Sequence, residues 1–368
     1  MVLINSVRTV RVHATNVTGA GLGAARLVQS LLPALERCGA FHIAEIYLPD
    51  RGELSGYKRI SEGIEPSRYS RIAPNAISRL LECTLFSGAF DGDSPLLVLG
   101  DLPLRSRSVQ ILFVQSPFVA GADTATTRTD RLKYWIADRI FRANCRFVAR
   151  IIVQTTAIQT SLEQLYPTTK GMITVIPQPP PEWVVKSGLQ RHAKTNGSGA
   201  GLRLFYPAAS YPHKNHALLS RLNRDMIESL PIRKLILTVP AENNPDSSAT
   251  WIECVGTLTP SEVLENYRRA DALLFLSKSE SYGLPLVEAM WIGLPIICPN
   301  LTYARILCSD QAIYFDPLDT DSLSKAIHEL QSRLSCGWWP DWREQLLQIP
   351  RSWDDVARSM LHEIEPIL

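Results

Sequence analysis

Ser279-Glu280-Ser281-Tyr282-Gly283-Leu284-Pro285-Leu286-Val287-Glu288-Ala289-Met290 follows a short apolar run, Ala272-Leu273-Leu274-Phe275-Leu276-Ser277. The run lacks polar alternation, which predicts a strand buried on both faces of a parallel sheet. Gly283 turns the chain. Pro285 suits the first position of a helix, where its missing N–H would be unpaired anyway. Gly293 closes that helix near Ile292, and Pro295 forbids continuation. Glu280 then sits in the strand-to-helix loop, with Glu288 about one turn inside the helix. Both carboxylates can face the opening above the sheet edge. The N–H groups of Gly283 and Leu284 face it too, at the positive end of a helix, which favours phosphate. Backbone N–H groups suit a diphosphate and two carboxylates suit sugar hydroxyls, the parts of a nucleotide sugar. Two solvated surface charges are the plainer alternative.

Glu280, seven intervening residues and Glu288, with Tyr282-Gly283-Leu284-Pro285 between, resemble the donor-binding motif of retaining glycosyltransferases of family four. The resemblance implies an α/β architecture of the GT-B type, two Rossmann-like domains facing across a cleft. It implies that Glu280 contacts the donor sugar and Glu288 the ribose, with Tyr282, Gly283 and Leu284 completing the donor loop.

Further stretches extend the likeness over the second half of the chain. Pro212-His213-Lys214-Asn215-His216 follows a strand over 203–206 and precedes a helix expected from Ala217. Lys214 before a helix N-terminus suits a phosphate. The family's Arg a few residues earlier is absent, small residues standing in its place. The Pro-His-Lys-Asn-His form is similar to that of bacterial surface-polysaccharide transferases, often mannosyltransferase-like. The resemblance then implies catalytic roles for Glu280 and Lys214 and a place near the nucleotide base for Val255 and Gly256. His213 and His216 have metal-ligand spacing without a third ligand, so helix-start polar residues are the better reading.

In the first half the likeness is looser. Gly21 and Gly23, in the loop after a strand over 7–14, match a glycine loop that contacts the donor. By itself such a loop fits a dinucleotide enzyme equally well. Gln115 stands where the family often has a donor-sugar His; it can hydrogen-bond a hydroxyl but cannot shuttle a proton. Asp101, after a strand over 96–100, is placed either to hold an acceptor hydroxyl or to form a turn before Pro103. Asp91-Gly92-Asp93 looks like a metal-binding Asp-x-Asp but precedes its strand, and reads as a turn.

At 368 residues the chain suits two domains. The expected division is 1–185 for the acceptor, 186–201 as a linker and 202–352 for the donor, with a last helix over 353–368 crossing back to the first domain. Composition, 45% hydrophobic and 20% charged, is that of a soluble globular protein, and no apolar run reaches the length of a membrane span. Seven scattered cysteines without a CxxC pair point to a reducing cytoplasm. Residues 1–195 hold 23 Lys and Arg against 15 Asp and Glu, net +8, and the remainder is net −6. A basic first half suggests an anionic partner. No nucleic-acid signature accompanies it, so an anionic membrane surface ranks higher, through seven basic residues over 128–150. Leu132, Trp135, Ile136, Ile140 and Phe147 interleave with them at helical spacing, which reads first as a helix packing its apolar face on the sheet.

These readings converge on a retaining, metal-independent hexosyltransferase without a cofactor. It would move a sugar, GDP-mannose being the first candidate donor, to a glycan or lipid-linked acceptor, working in the cytoplasm or at the inner face of the membrane. Two alternatives stay open: a nicotinamide-dependent oxidoreductase using the glycine loop, and a non-catalytic transferase-like glycan-binding module.

Overall fold

The computed structural model describes residues 8–15, 22–60, 66–70, 75–116, 119, 128–193 and 201–367. The chain divides into two compact units, one of residues 1–178 and 350–368, the other of 179–349.

The first unit is built on seven strands: β1 (Arg8–His13), β2 (Phe41–Pro49), β3 (Ser67–Tyr69), β4 (Leu96–Val98), β5 (Gln110–Val114), β6 (Val148–Val153) and β7 (Ile173–Val175). They form one sheet in the order β3-β2-β1-β4-β5-β6-β7, with every pair parallel. The apolar runs explain this. Ile111 to Val114 and Ile151 to Val153 are buried without alternation, as strands covered by helices on both faces must be. The short strand β3 joins β2 in parallel at the sheet edge.

Six strands make the second sheet: β8 (Leu202–Tyr206), β9 (Ile232–Leu237), β10 (Ile252–Cys254), β11 (Ala272–Leu274), β12 (Ile296–Pro299) and β13 (Ile313–Phe315). Their order is β10-β9-β8-β11-β12-β13, again parallel throughout. The direction of winding reverses between β8 and β11 here, and between β1 and β4 in the first sheet. Ligands of open α/β sheets bind beyond the strand ends at such reversals.

The second unit starts earlier than the expected boundary near 202. Val184, on helix Glu182–Ser187, is buried in the second core. Nor do residues 187–193 form a loose linker. Arg191 N donates to Ile292 O at 2.7 Å, and a Cβ on Gly293 would lie 2.9 Å from Arg191 O. At the other end, helix Trp353–His362 belongs to the first unit, and Arg37 at the end of helix Leu22–Arg37 donates to Asp354 at 2.6 Å.

Helix Arg128–Asn144 also departs from expectation. Ile140 and Phe141 are buried, but Leu132 and Trp135 are 58% and 56% exposed. Asn144 sets the helix rotation near its end, its Nδ2 donating to the carbonyls of Cys83 and Pro103 at 2.8 and 3.0 Å. The inward face therefore runs through Ile136, Ile140 and Phe141, and Leu132 and Trp135 lie outside it.

A buried cation accounts for Asp91-Gly92-Asp93. Arg11, on β1, donates to the carbonyls of Phe90 and Ser94, each at 2.9 Å, and to Ser108 Oγ at 2.6 Å. The 90–94 turn wraps its guanidinium, while Asp91 accepts from Ser106 Oγ and Arg107 N, both at 2.7 Å. A Cβ on Gly92 would sit 2.7 Å from Arg11 Cζ. The guanidinium is held by its three acceptors and cannot yield without leaving donors unpaired. Gly92→Ala is therefore expected to destabilise the protein by about 1–3 kcal/mol, read from the urea midpoint; an unchanged midpoint would show that Arg11 has room to move.

Candidate active site

Two loops leave adjacent strand ends in the second sheet. One follows β8 and carries Lys214; the other follows β11 and carries Glu280. Because β8 and β11 pair directly, the loops touch. Lys278 N donates to His213 O at 2.8 Å, and Ser277 Oγ reaches the same carbonyl at 3.3 Å. Lys214 Nζ meets Glu280 Oε1 at 2.5 Å, with 16% and 13% of the two side chains exposed. Cation and carboxylate thus form a largely desolvated pair, in which each makes the other's burial tolerable.

Tyrosines fix this arrangement from below. Tyr206 OH donates to Lys214 O at 2.8 Å, and Tyr303 OH donates to Ser277 O at 2.5 Å. Burial, reinforced by the Glu280 charge, pushes both phenols well above their ordinary pKa and keeps them protonated donors. Neither tyrosine was singled out from sequence. For Tyr206 the available signal was a Tyr ending an apolar run, an apolar body whose hydroxyl needs a partner when buried; Tyr303, within Asn300-Leu301-Thr302-Tyr303-Ala304, carried no such signal.

The expected helix from Ala217 is absent. Lys214 lies in a 3-10 turn, Pro212–Lys214, followed by Asn215 at φ 60° and a second turn, His216–Arg221. Asn215 breaks the run in the left-handed region, where Asn is among the more tolerant residues. Its Nδ2 donates to Pro317 O at 2.9 Å. The positive potential here is therefore the charge of Lys214 itself, without a helix macrodipole behind it.

The helix expected after Gly283 does form, over Leu284–Ile292, with Gly293 closing it. Gly283 precedes it at φ 91°, a conformation L side chains rarely adopt. The first intrahelical bond runs from Leu286 N to Gly283 O at 2.9 Å. The N–H groups of Gly283 and Leu284 lie ahead of it, among those a helix cannot satisfy internally. Tyr282 points the other way: it is 2% exposed in the second core, so it braces the loop instead of lining it. Glu288 is buried as well, and Tyr267 OH donates to its Oε2 at 2.7 Å. Val255 and Gly256 continue past β10, their N–H groups bonded to Leu237 O and Val239 O at 3.0 and 2.9 Å.

In the first unit the candidates fare differently. Gly21 lies outside the described residues, and Gly23 is exposed in the first turn of helix Leu22–Arg37, not in a loop. Asp101 adopts φ 54° and accepts from Gln115 N and Ser116 N at 2.6 and 2.8 Å. Its carboxylate clamps the β4 and β5 ends together, a longer-range contact than a turn before Pro103. Gln115 is nearly buried, and its Oε1 has no hydrogen-bond partner.

A polar cluster missed in the sequence lies beside the β1 end. Glu82 accepts from Thr15 Oγ1, lies 2.8 Å from His13 Nε2 and pairs with Arg79 at 3.3 Å. The Arg79 charge and the bonds from His13 and Thr15 overcome burial and hold the Glu82 carboxyl far below its ordinary pKa.

With this geometry the fold has a class: two parallel α/β units with a site at a winding reversal, the GT-B arrangement of glycosyltransferases. A sucrose-phosphate synthase from Thermosynechococcus elongatus superposes with a TM-score of 0.66 at 13% identity, over 98% of this chain and 99% of that one. Alr3699/HepE from Anabaena, solved with UDP-glucose, gives 0.62 at 11% identity over 97% and 99%. In sequence, residues 251–333, which hold Glu280 and Glu288, match the family model of glycosyl transferases group 1. An O-antigen chain mannosyltransferase B from Escherichia coli is 33% identical over 88 residues, 24% of this chain and 23% of that protein. Among the described residues no group of three His, Cys, Asp or Glu side chains is arranged to hold a metal ion.

His216 gives the site a pH signature. It is 8% exposed, its ring lies 5.0 Å from that of Tyr206, and its Nε2 has no hydrogen-bond partner. Burial, with Lys214 adding to it, lowers its pKa from 6.5 to about 4. Above pH 6.5 the ring is neutral whether the chain is folded or not. As pH falls towards 4 the unfolded chain takes up the proton and the folded one resists, so stability is lost. His216→Gln is expected to narrow the stability gap between pH 7 and pH 4.5 by on the order of 2 kcal/mol, measured by urea denaturation; an equal gap in both proteins would refute it.

Proposed function

We propose that this chain is a retaining hexosyltransferase. It would take a sugar, mannose first, from a nucleoside diphosphate donor to a glycan or lipid-linked acceptor in polysaccharide synthesis. The observation that carries the reading is the Lys214–Glu280 pair beside the open helix start at Gly283, inside the stretch that matches the group 1 model. The mannosyltransferase likeness supports mannose, and hence GDP-mannose. The UDP-glucose bound by the Anabaena protein supports the donor class.

In this reading Lys214 Nζ and the N–H groups of Gly283 and Leu284 hold the diphosphate. They stabilise the charge that grows as the anomeric C–O bond breaks. The acceptor oxygen bonds to the anomeric carbon on the face the diphosphate leaves, and its proton passes to the departing phosphate oxygen. Glu280 orients the sugar through its hydroxyls, and Glu288 the ribose. Lys214 supplies the positive charge that a metal would otherwise bring, so the reaction proceeds without one.

Calorimetry with GDP, UDP and ADP tests the site. Glu288→Ala and Lys214→Ala should each weaken the tightest of the three by about 1.5–3 kcal/mol, the worth of a charged hydrogen bond. Transfer should persist in EDTA. Unchanged affinity removes the altered residue from the site, and activity lost to EDTA and restored by manganese overturns the metal-free mechanism.

A second part of the proposal is peripheral contact with an anionic membrane through helix Arg128–Asn144. Trp135 and Leu132 project among Arg131, Lys133 and Arg139, and the Arg139 guanidinium lies 5.2 Å from the Trp135 ring. An exposed Trp beside cations suits the headgroup layer. No helix among the described residues is long and apolar enough to cross a bilayer. Sedimentation with phosphatidylglycerol vesicles should show binding that weakens with salt, each basic residue contributing on the order of 1 kcal/mol. Trp135→Ala with Arg139→Gln should reduce it and spare nucleotide binding. Absence of binding at low salt would leave the helix simply solvated.

A further inference from the structure

We infer that Tyr267 is a positioning residue for ribose recognition, acting through Glu288. The inference rests on the donor reading above. Glu288 is a buried carboxylate, and burying a charge is costly unless hydrogen bonds compensate. Tyr267 OH supplies one of them, to Oε2 at 2.7 Å. The phenol is itself fully buried and has little freedom to swing. Its ring meets Phe205 of β8 edge-on, with centroids 5.1 Å apart and an interplanar angle of 86°.

The helix that carries Tyr267 is anchored at its start. Helix Pro260–Arg269 has Pro260 in its first turn and a reciprocal capping box between Thr259 and Glu262. A rigid helix, a ring wedged against the sheet and one directed bond therefore set the torsion of the Glu288 carboxylate. The carboxylate so oriented is the one we assign to the ribose hydroxyls. Two vicinal hydroxyls need acceptors in a fixed plane, and a carboxylate that turns freely forfeits that preorganisation. Tyr267 does not touch the nucleotide in this account; it determines what Glu288 can do. The segment at Val255 and Gly256, expected near the base, lies only a few residues ahead of this helix. The same element would thus link base and ribose recognition.

The test uses the whole chain and the nucleotide, among GDP, UDP and ADP, that binds it most tightly, with the 2′,3′-dideoxy form of that nucleotide. Tyr267→Phe should weaken the ribonucleotide about tenfold and leave the dideoxy form unchanged. Glu288→Gln should show the same selective loss. Combining the two should cost no more than the larger single effect, because both act on one contact. Equal weakening of both nucleotides, no weakening, additive losses or a Phe variant that fails to fold would each assign Tyr267 to the core and overturn the inference. If the unaltered chain binds none of the three nucleotides, the donor reading itself fails and this one with it.

Discussion

The parallel pairing of β8 with β11 is the constraint on which the candidate site depends. Ala272 sits opposite Leu204, some seventy residues away in sequence, and the sheet reverses its winding there. Two loops that share no local sequence are thereby brought into contact. Every later feature of the site is a way of holding them: the bond from Lys278 N to His213 O, the Lys214–Glu280 pair and the tyrosines beneath. Burial of an ion pair alone contributes little to stability and can oppose it. The loops are better regarded as positioned by the backbone bonds and phenols, with the ion pair set upon them.

Charge near both sheets is managed in the same way. Glu288 has Tyr267, Glu82 has Thr15, His13 and Arg79, and Arg11 has two carbonyls and a serine. Each of these charges is met by polar groups brought from elsewhere in the fold, Arg79 apart, which shares the helix of Glu82. Such groups cannot follow a large rearrangement of the charge they hold, so these clusters fix local geometry more tightly than apolar packing would.

Much of this was legible in the sequence, and what was not has physical reasons. Unalternating apolar runs located the buried parallel strands, and Gly283, Pro285 and Gly293 bounded the helix after β11 within a residue or two. Glu280 and Lys214 meet as a pair although 66 residues separate them, because the loops that carry them leave paired strands at the same reversal. Local pattern failed where tertiary contacts override it. Asn215 ended a turn that propensity would have continued as a helix. Trp135 and Leu132 fell outside the inward face because Asn144 fixes the helix rotation. Tyr282 turned into the core, and Asp101 spent its carboxylate on two backbone donors. The tyrosine supports were invisible because a phenol looks the same in sequence whether its hydroxyl braces a loop or meets water.

The return of helix Trp353–His362 to the first unit makes that unit discontinuous in sequence and the second an insertion within it. Arg8 and Glu365, which pair, are 357 residues apart. A chain emerging from the ribosome therefore presents helix Leu22–Arg37 well before the helix that packs on it. The second unit, contiguous from 179 to 349, has all its strands available while the first still lacks its final layer. Of these two cores the one synthesised first is completed second, and during that interval helix Leu22–Arg37 lacks the helix Trp353–His362 that will pack on it.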